Sequence, residues 1–345
     1  MNKYIFEEKI GITYNASSKA REDVNLFAKN YRDKNGNAYI VIGGNDKSNV
    51  KTTFGKILCG IKAILSLLKL KRNDILFVQS SFKILRKIDM IKKFIGFRTI
   101  YLVHDLDALR DSYTSDSKVS AMIQELEKQD IVILHNDKMI EELHSRGCKT
   151  QMINLGIFDY YLESVPPITY PKKSRMDLCF AGNLSPKKTG FLYALDQQTN
   201  SFNVNVYGKK EEEFQKISYK GCYKPEELPE KLEGDFGLIW EGNQFTYNED
   251  EHPYIMFNNP HKASLYIVAG LPIIVWEKAA IADLVIERGI GITISDVVDI
   301  EEKLSQISSD DYLNMKRNLE IFRKTLIAGE HVHKAIRSAE EILNV

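Results

Sequence analysis

Short apolar runs recur along this chain at intervals that leave room for a helix between each pair, and the pattern appears twice, on either side of Pro166-Pro167. After an N-terminal strand, the first series is AYIVIGG at 38–44, ILFVQ at 75–79, TIYLVH at 99–104 and IVILH at 131–135. The second is DLCFAG at 177–182, VNVYG at 204–208, FGLIW at 236–240, LPIIVW at 271–276 and IGITI at 290–294. Runs of this kind are buried strands, and the amphipathic stretches between them are long enough to cross back over a sheet. The expected fold is α/β, with two Rossmann-like units facing across a cleft, and 345 residues are also too many for one ordinary domain. Residues 1–165 are expected to form the first unit and 166–326 the second. A helix over 327–345, with Val332, Ala335, Ile336, Ala339, Ile342 and Leu343 at helical spacing, should pack back on the first. Between the second and third strands, Phe54, Ile57, Leu58, Ile61, Ile64, Leu65 and Leu68 share a helical face, predicted to cover the sheet. Cys59, Ala63, Leu67 and Leu70 then lie away from it.

With 43% hydrophobic and 27% charged residues, the chain can bury sizeable cores and is not a disordered tail. Cys59, Cys148, Cys179 and Cys222 are scattered, which reads as reduced thiols in a cytoplasmic protein. Glu7, Glu8 and Lys9 interrupt any signal-peptide core, and Lys62, Ser66 and Lys69 break the longest apolar stretch. Neither secretion nor a membrane span is expected. The net charge of zero conceals an asymmetry: residues 1–165 hold 26 Lys+Arg against 20 Asp+Glu, and the rest 21 against 27. The positive excess lies between Val50 and Arg98, where twelve cations face only Asp74 and Asp89. Such a patch suits the anionic inner face of the cell membrane, while the apolar residues beside it would equally serve a subunit contact in a homo-oligomer. No feature points to nucleic acid.

The segment NNPHKASLYIVAGLPIIVW reads as a helix with clear ends, Asn259 capping, Pro260 at its first position, and Gly270 with Pro272 closing it. Lys262 falls in the first turn, where the helix dipole disfavours a cation and a bound anion reverses that penalty. It is either a surface lysine or a diphosphate ligand. In CFAGNLSPKK, Gly182 lets the backbone approach a ligand, and Asn183, Ser185, Lys187 and Lys188 offer donors at a strand's carboxyl end. NASSKARED at 15–23 puts small polar residues where a glycine-rich loop would be, with Asn15 as a nucleotide-sugar contact and Lys19 and Arg21 as phosphate or acceptor contacts. His104 and Asp105 end the TIYLVH strand and are candidate general bases. Asp105 and Asp107 also form a DxD, a spacing that can hold a divalent ion. Trp240 and Glu241 end another strand, as a sugar-facing pair or as a packed sheet edge.

Taken in order, SSKAREDV, YLVHDLDALR, FAGNLS, YKPEELPEKL at 223–232, and GDFGLIWEGN leading to HKASLYIVAGLPIIV resemble the bacterial galactofuranosyltransferase-like proteins. They also resemble the glucosyltransferases that extend the sugar on serine-rich-repeat adhesins, the N-terminal loop standing closer to the galactofuranosyltransferase pattern. The likeness runs over nearly the whole chain. It implies a GT-B fold and assigns nucleotide and pyrophosphate contacts to Lys187 or Lys188, Tyr223 and Lys262, a lysine standing at the first position where the relatives carry arginine.

The resulting expectation is an inverting hexosyltransferase that uses a UDP-sugar donor and no metal or other cofactor. Galactofuranose, glucose or N-acetylglucosamine would pass to a glycan, glycoprotein or lipid-linked acceptor, with His104 or Asp105 as base. A nucleotide-sugar epimerase of the same architecture, or a non-catalytic subunit that binds a sugar nucleotide, are the alternatives.

Overall fold

The computed structural model describes residues 1–9, 16–46, 53–110, 116–168, 176–198 and 200–344. The chain divides into two compact units. One takes Met1 to Asp159, residues 14–16 excepted, together with Gly329 to Val345; the other takes Tyr160–Ala328.

The first unit is built on six strands, β1 (Lys3–Lys9), β2 (Ile40–Asp46), β3 (Ile75–Val78), β4 (Arg98–Leu102), β5 (Ile131–Leu134) and β6 (Gln151–Asn154), in the order β2-β1-β3-β4-β5-β6. Every pairing is parallel. β3 and β5 are buried along their whole length, as strands covered on both faces must be. The core on one face joins Ile5, Val24, Phe27, Phe77, Ile100 and Ile133 to Val332, Ala335, Ile336 and Ala339 of the C-terminal helix Glu330–Ile342. The predicted return of that helix to the first unit is observed. Burying Val332 and Ile336 completely contributes about 1.5–3 kcal/mol each. Beside this core, Glu340 is buried with Lys3 and Asp33, and accepts from the hydroxyls of Tyr31 and Tyr39.

The helix Thr53–Leu67 overturns one expectation. Ala63, Leu67 and, just beyond the helix, Leu70 are buried, whereas Leu58, Ile61, Ile64, Leu65 and Leu68 are exposed. Phe54, Ile57 and Cys59 lie among side chains outside the described set. Apolar residues occupy nearly every side of this helix, so periodicity selects the wider stripe. Packing uses the narrower one, where small Ala63 permits close approach to the sheet.

The second unit has the same plan: β7 (Leu178–Ala181), β8 (Val204–Tyr207), β9 (Ser218–Gly221), β10 (Phe236–Ile239), β11 (Ile273–Trp276) and β12 (Gly291–Ile294), in the order β12-β11-β10-β7-β8-β9 and parallel throughout. Its central strands β7, β8, β10 and β11 are wholly buried. Among the described residues no helix is long and apolar enough to cross a membrane.

Candidate functional site

In open parallel sheets the loops beyond the carboxyl ends of the strands carry ligands, because helix N-termini and unpaired backbone groups converge there. In the second unit this edge is set by glycines. The Gly182 N–H extends the ladder from β7 to Tyr207 O (2.9 Å), and the Gly208 N–H reaches Gly221 O (2.9 Å). Gly208 has φ +135°, and a Cβ there would lie 1.8 Å from the Gly182 carbonyl oxygen. Only glycine lets the turns after β7 and β8 meet backbone to backbone.

Helix His261–Ala269 is docked on this edge by Tyr266. The hydroxyl accepts from the Ala181 N–H (2.9 Å) and donates to Leu238 O (3.2 Å), bridging β7 and β10. The ring rests on Gly237, where a Cβ would come within 2.4 Å of it. Lys262 is one turn earlier on the same helix face. Its ammonium therefore sits 3.9 Å from the centroid of the Phe180 ring, and 3.4 Å from where a Gly182 Cβ would be. Burial lowers the Lys262 pKa to about 8, against the opposing pull of Glu241 and Cys179. A cation held in such surroundings gains from any anion that replaces its lost water. The helix begins after Pro260, one residue later than expected, with no side chain capping it, and ends at left-handed Gly270 as predicted.

Tyr223 lies at the same edge, its ring against Gly221 and its hydroxyl donating to Lys220 O (3.0 Å). Asn183 is exposed, and its Oδ1 accepts from the Ser185 N–H (2.9 Å). Lys187 is exposed in the first turn of helix Pro186–Asp196, and Asn259 is buried just before Pro260. Trp240 takes the packed form: fully buried, its Nε1–H donates to Gln244 O (2.9 Å), and Tyr247 lies between it and Trp276. That enclosed ring offers no face to a sugar, whereas Glu241 beside it is exposed. Sequence reasoning missed Phe180, Gly208 and Tyr266. The repeated strand-then-glycine endings FAG and VYG were the available signal for Gly208.

The corresponding edge of the first unit holds His104. Its Nε2 lies 2.6 Å from Gln79 Oε1. The Gln79 amide nitrogen donates to Arg21 O (2.9 Å) and Asn25 Oδ1 (2.7 Å), so its oxygen faces the imidazole. The Nε2 of His104 must then carry a proton. Phe158 stacks on the ring (5.3 Å, 11°) and meets His135 edge-on (4.9 Å). Burial pushes His135 down to about 4, which keeps it neutral. Asp105, the other candidate base, is tied to Arg110 (2.5 Å). Lys19 is buried and paired with Asp23, and Arg21 donates to Gln79 O (2.9 Å). Asn15 lies outside the described residues. Among the described residues, no three His, Cys, Asp or Glu gather as metal ligands would.

Two family models match the chain. The Glucosyltransferase 3-like N-terminal domain covers residues 2–157, and the Glucosyltransferase 3-like C-terminal domain covers residues 178–339. The chain belongs to this family of glycosyltransferases. Among its relatives, the Beta-1,6-galactofuranosyltransferase WbbI of Escherichia coli (strain K12) is 29% identical over 256 residues, 73% of each chain. The Glucosyltransferase 3 of Streptococcus parasanguinis is 24% identical over 243 residues, 69% of this chain and 68% of that one. Two solved structures share the fold of this family member: sucrose-phosphate synthase from Thermosynechococcus elongatus and HepE of Anabaena in complex with UDP. The first has a TM-score of 0.66 at 9% identity, covering 100% of this chain and 99% of that one. The second has a TM-score of 0.64 at 12% identity, covering 99% and 100%. The fold is GT-B, with two Rossmann-like domains.

Proposed function

We propose that this glycosyltransferase moves a hexose from a UDP-sugar to a hydroxyl of a glycan, glycoprotein or lipid-linked acceptor. The observation that carries the reading is the desolvated Lys262 ammonium over the Gly182 turn, in the first turn of a helix with no side-chain cap. A diphosphate there receives a full positive charge, the helix N-terminus and close backbone approach together. The same groups stabilise UDP as it leaves, so fixed cations can do the work a divalent ion does elsewhere. The solved HepE complex contains UDP, and the streptococcal and Escherichia coli relatives are named as glucosyl- and galactofuranosyltransferases, which supports this donor class.

Inversion is the proposed stereochemistry. The Escherichia coli relative is named for a β-linkage, and making one from an α-linked nucleotide sugar requires net inversion. A base on the acceptor side is then needed. His104 fits better than Asp105, because Gln79 accepts from its Nε2 while Asp105 is engaged by Arg110. A panel of nucleotide sugars in thermal-shift assays tests the donor class: a ligand at 100 times its Kd stabilises by ~2.7 kcal/mol. The reading fails if no uridine nucleotide shifts the transition. Turnover that persists in EDTA is the corresponding check on metal independence.

A further inference from the structure

The exposed stripe on helix Thr53–Leu67 is not isolated. β2, β3 and β4 follow one another in sequence, and right-handed crossovers place helix Thr53–Leu67 beside helix Phe82–Ile95 on the same face of the sheet. That second helix also carries apolar side chains in water, Met90 at 65% and Phe94 at 90% exposure. Together with Ile61, Leu65 and Leu68 they leave more large apolar surface uncovered on one face than scattered exposure explains. It is one face, not two.

The exposed charges that these two helices themselves carry all have one sign. Lys62, Lys69, Lys83, Lys87 and Lys93 are exposed on the same two helices or their ends, and among the described residues none of them forms an ion pair. Arg86 and Lys92 are partly neutralised by Glu125 and Asp130. The only two acids between Val50 and Arg98 are both turned inward. Asp74 is buried, accepting the backbone N–H groups of Asn2 and Lys71, and Asp89 is buried accepting from Gln129. The segment therefore shows the outside apolar and cationic groups and no carboxylate.

We propose that this two-helix face docks the protein on an anionic lipid surface, the apolar side chains entering the acyl boundary and the lysines meeting the headgroups. Charge complementarity selects this occupant over a second copy of the chain. A two-fold interface would set the patch against itself, lysines against lysines, with no acid from the segment to relieve them. Each cation near an anionic bilayer adds about fivefold to the binding constant, and the gain falls as salt screens it. Phe94, in the last turn beside Lys92 and Lys93, occupies the place an aromatic anchor takes at a headgroup boundary.

Co-sedimentation of the whole protein with vesicles of phosphatidylglycerol and phosphatidylcholine, and with phosphatidylcholine alone, is the test. Binding is expected only to the anionic vesicles. It should drop at least tenfold in high salt, in a Lys83→Glu/Lys87→Glu double variant, and in Phe94→Ser. All three side chains are exposed, so unfolding temperature and UDP binding should match the unsubstituted chain, which separates this surface from the donor site. Negligible binding to both vesicle types would overturn the proposal. So would self-association in sedimentation velocity that Phe94→Ser abolishes, since the face would then be a subunit contact.

Discussion

The Lys3 ammonium and the Glu340 carboxylate lie 2.9 Å apart, both almost fully buried, and join the first strand of the first unit to its last helix. Asp33 shares the lysine at 2.7 Å, and Tyr31 and Tyr39 donate to the glutamate. Burial and the nearby Glu340 charge push the Tyr31 hydroxyl up to about 12, so it remains a donor at any ordinary pH. Removing one member of such a group strands the others. Glu340→Ala should therefore destabilise the protein by on the order of 3 kcal/mol, read as a lower denaturant midpoint. Glu340→Gln, which keeps acceptors for the tyrosines, should cost less. Equal midpoints for Glu340→Ala and the unsubstituted chain would show that the helix is held by its apolar face alone.

At the donor edge, Lys262→Ala should weaken UDP binding by about 1.5–3 kcal/mol, the range for a hydrogen bond to a charged group. Calorimetry on folded protein decides it. Unchanged affinity would remove the diphosphate from this helix.

The lowered pKa of Lys262 gives that affinity a pH dependence. Below about pH 8 the free lysine is charged and receives the diphosphate directly. Above it, the free lysine is neutral and must take up a proton on binding, so UDP affinity should decline by up to about tenfold per pH unit. An ordinary lysine would begin this decline only near 10.4. Lys262→Arg should flatten the profile, because arginine stays charged throughout.

His104→Ala should lower kcat by roughly 10²–10⁴-fold, the usual worth of a positioned base, and leave UDP binding in place. Asp105→Asn should have a far smaller effect. If the two substitutions behave the other way round, the carboxylate is the base and its pairing with Arg110 opens during turnover.

Gly208→Ala should fail more severely than its size suggests. At φ +135° and 1.8 Å from the Gly182 carbonyl oxygen, the added methyl forces the turns after β7 and β8 apart. Strain of this kind costs of order 1–3 kcal/mol before any clash is relieved. Loss of UDP binding together with a lower melting temperature is expected. A variant as stable as the parent would mean that the two turns separate at little cost.

Nine of the strands announce themselves as apolar runs, and seven of them prove central; the other two, β2 and β12, are edges, with Ile40 and Val41 of β2 exposed. β6 (QMIN) and β9 (SYKG) do not: they are also edges, but their sequences are mostly polar and partly exposed, so they carry no apolar run to detect. The outer helix of the first unit misled for the opposite reason. It is apolar on nearly every side, and only contact with the sheet chooses Ala63 and Leu67. In the proposed donor site, the places of Lys262 and Gly182 in the fold were legible because helix ends and strand ends have residue signatures. Tyr266 and Phe180 were not, since an aromatic inside a buried run looks the same whether it fills a core or positions a lysine.

The first unit is discontinuous, and that has a consequence for how the chain is made. Tyr160–Ala328 is contiguous and can close as soon as it has emerged from the ribosome, whereas the sheet before it waits for Val332, Ala335, Ile336 and Ala339 to complete its core. The segment translated first is thus finished last, against the usual N-terminal-first order. A chain halted anywhere before residue 329 lacks the four side chains that complete this core, so proteases should distinguish interrupted synthesis from finished enzyme without any dedicated signal.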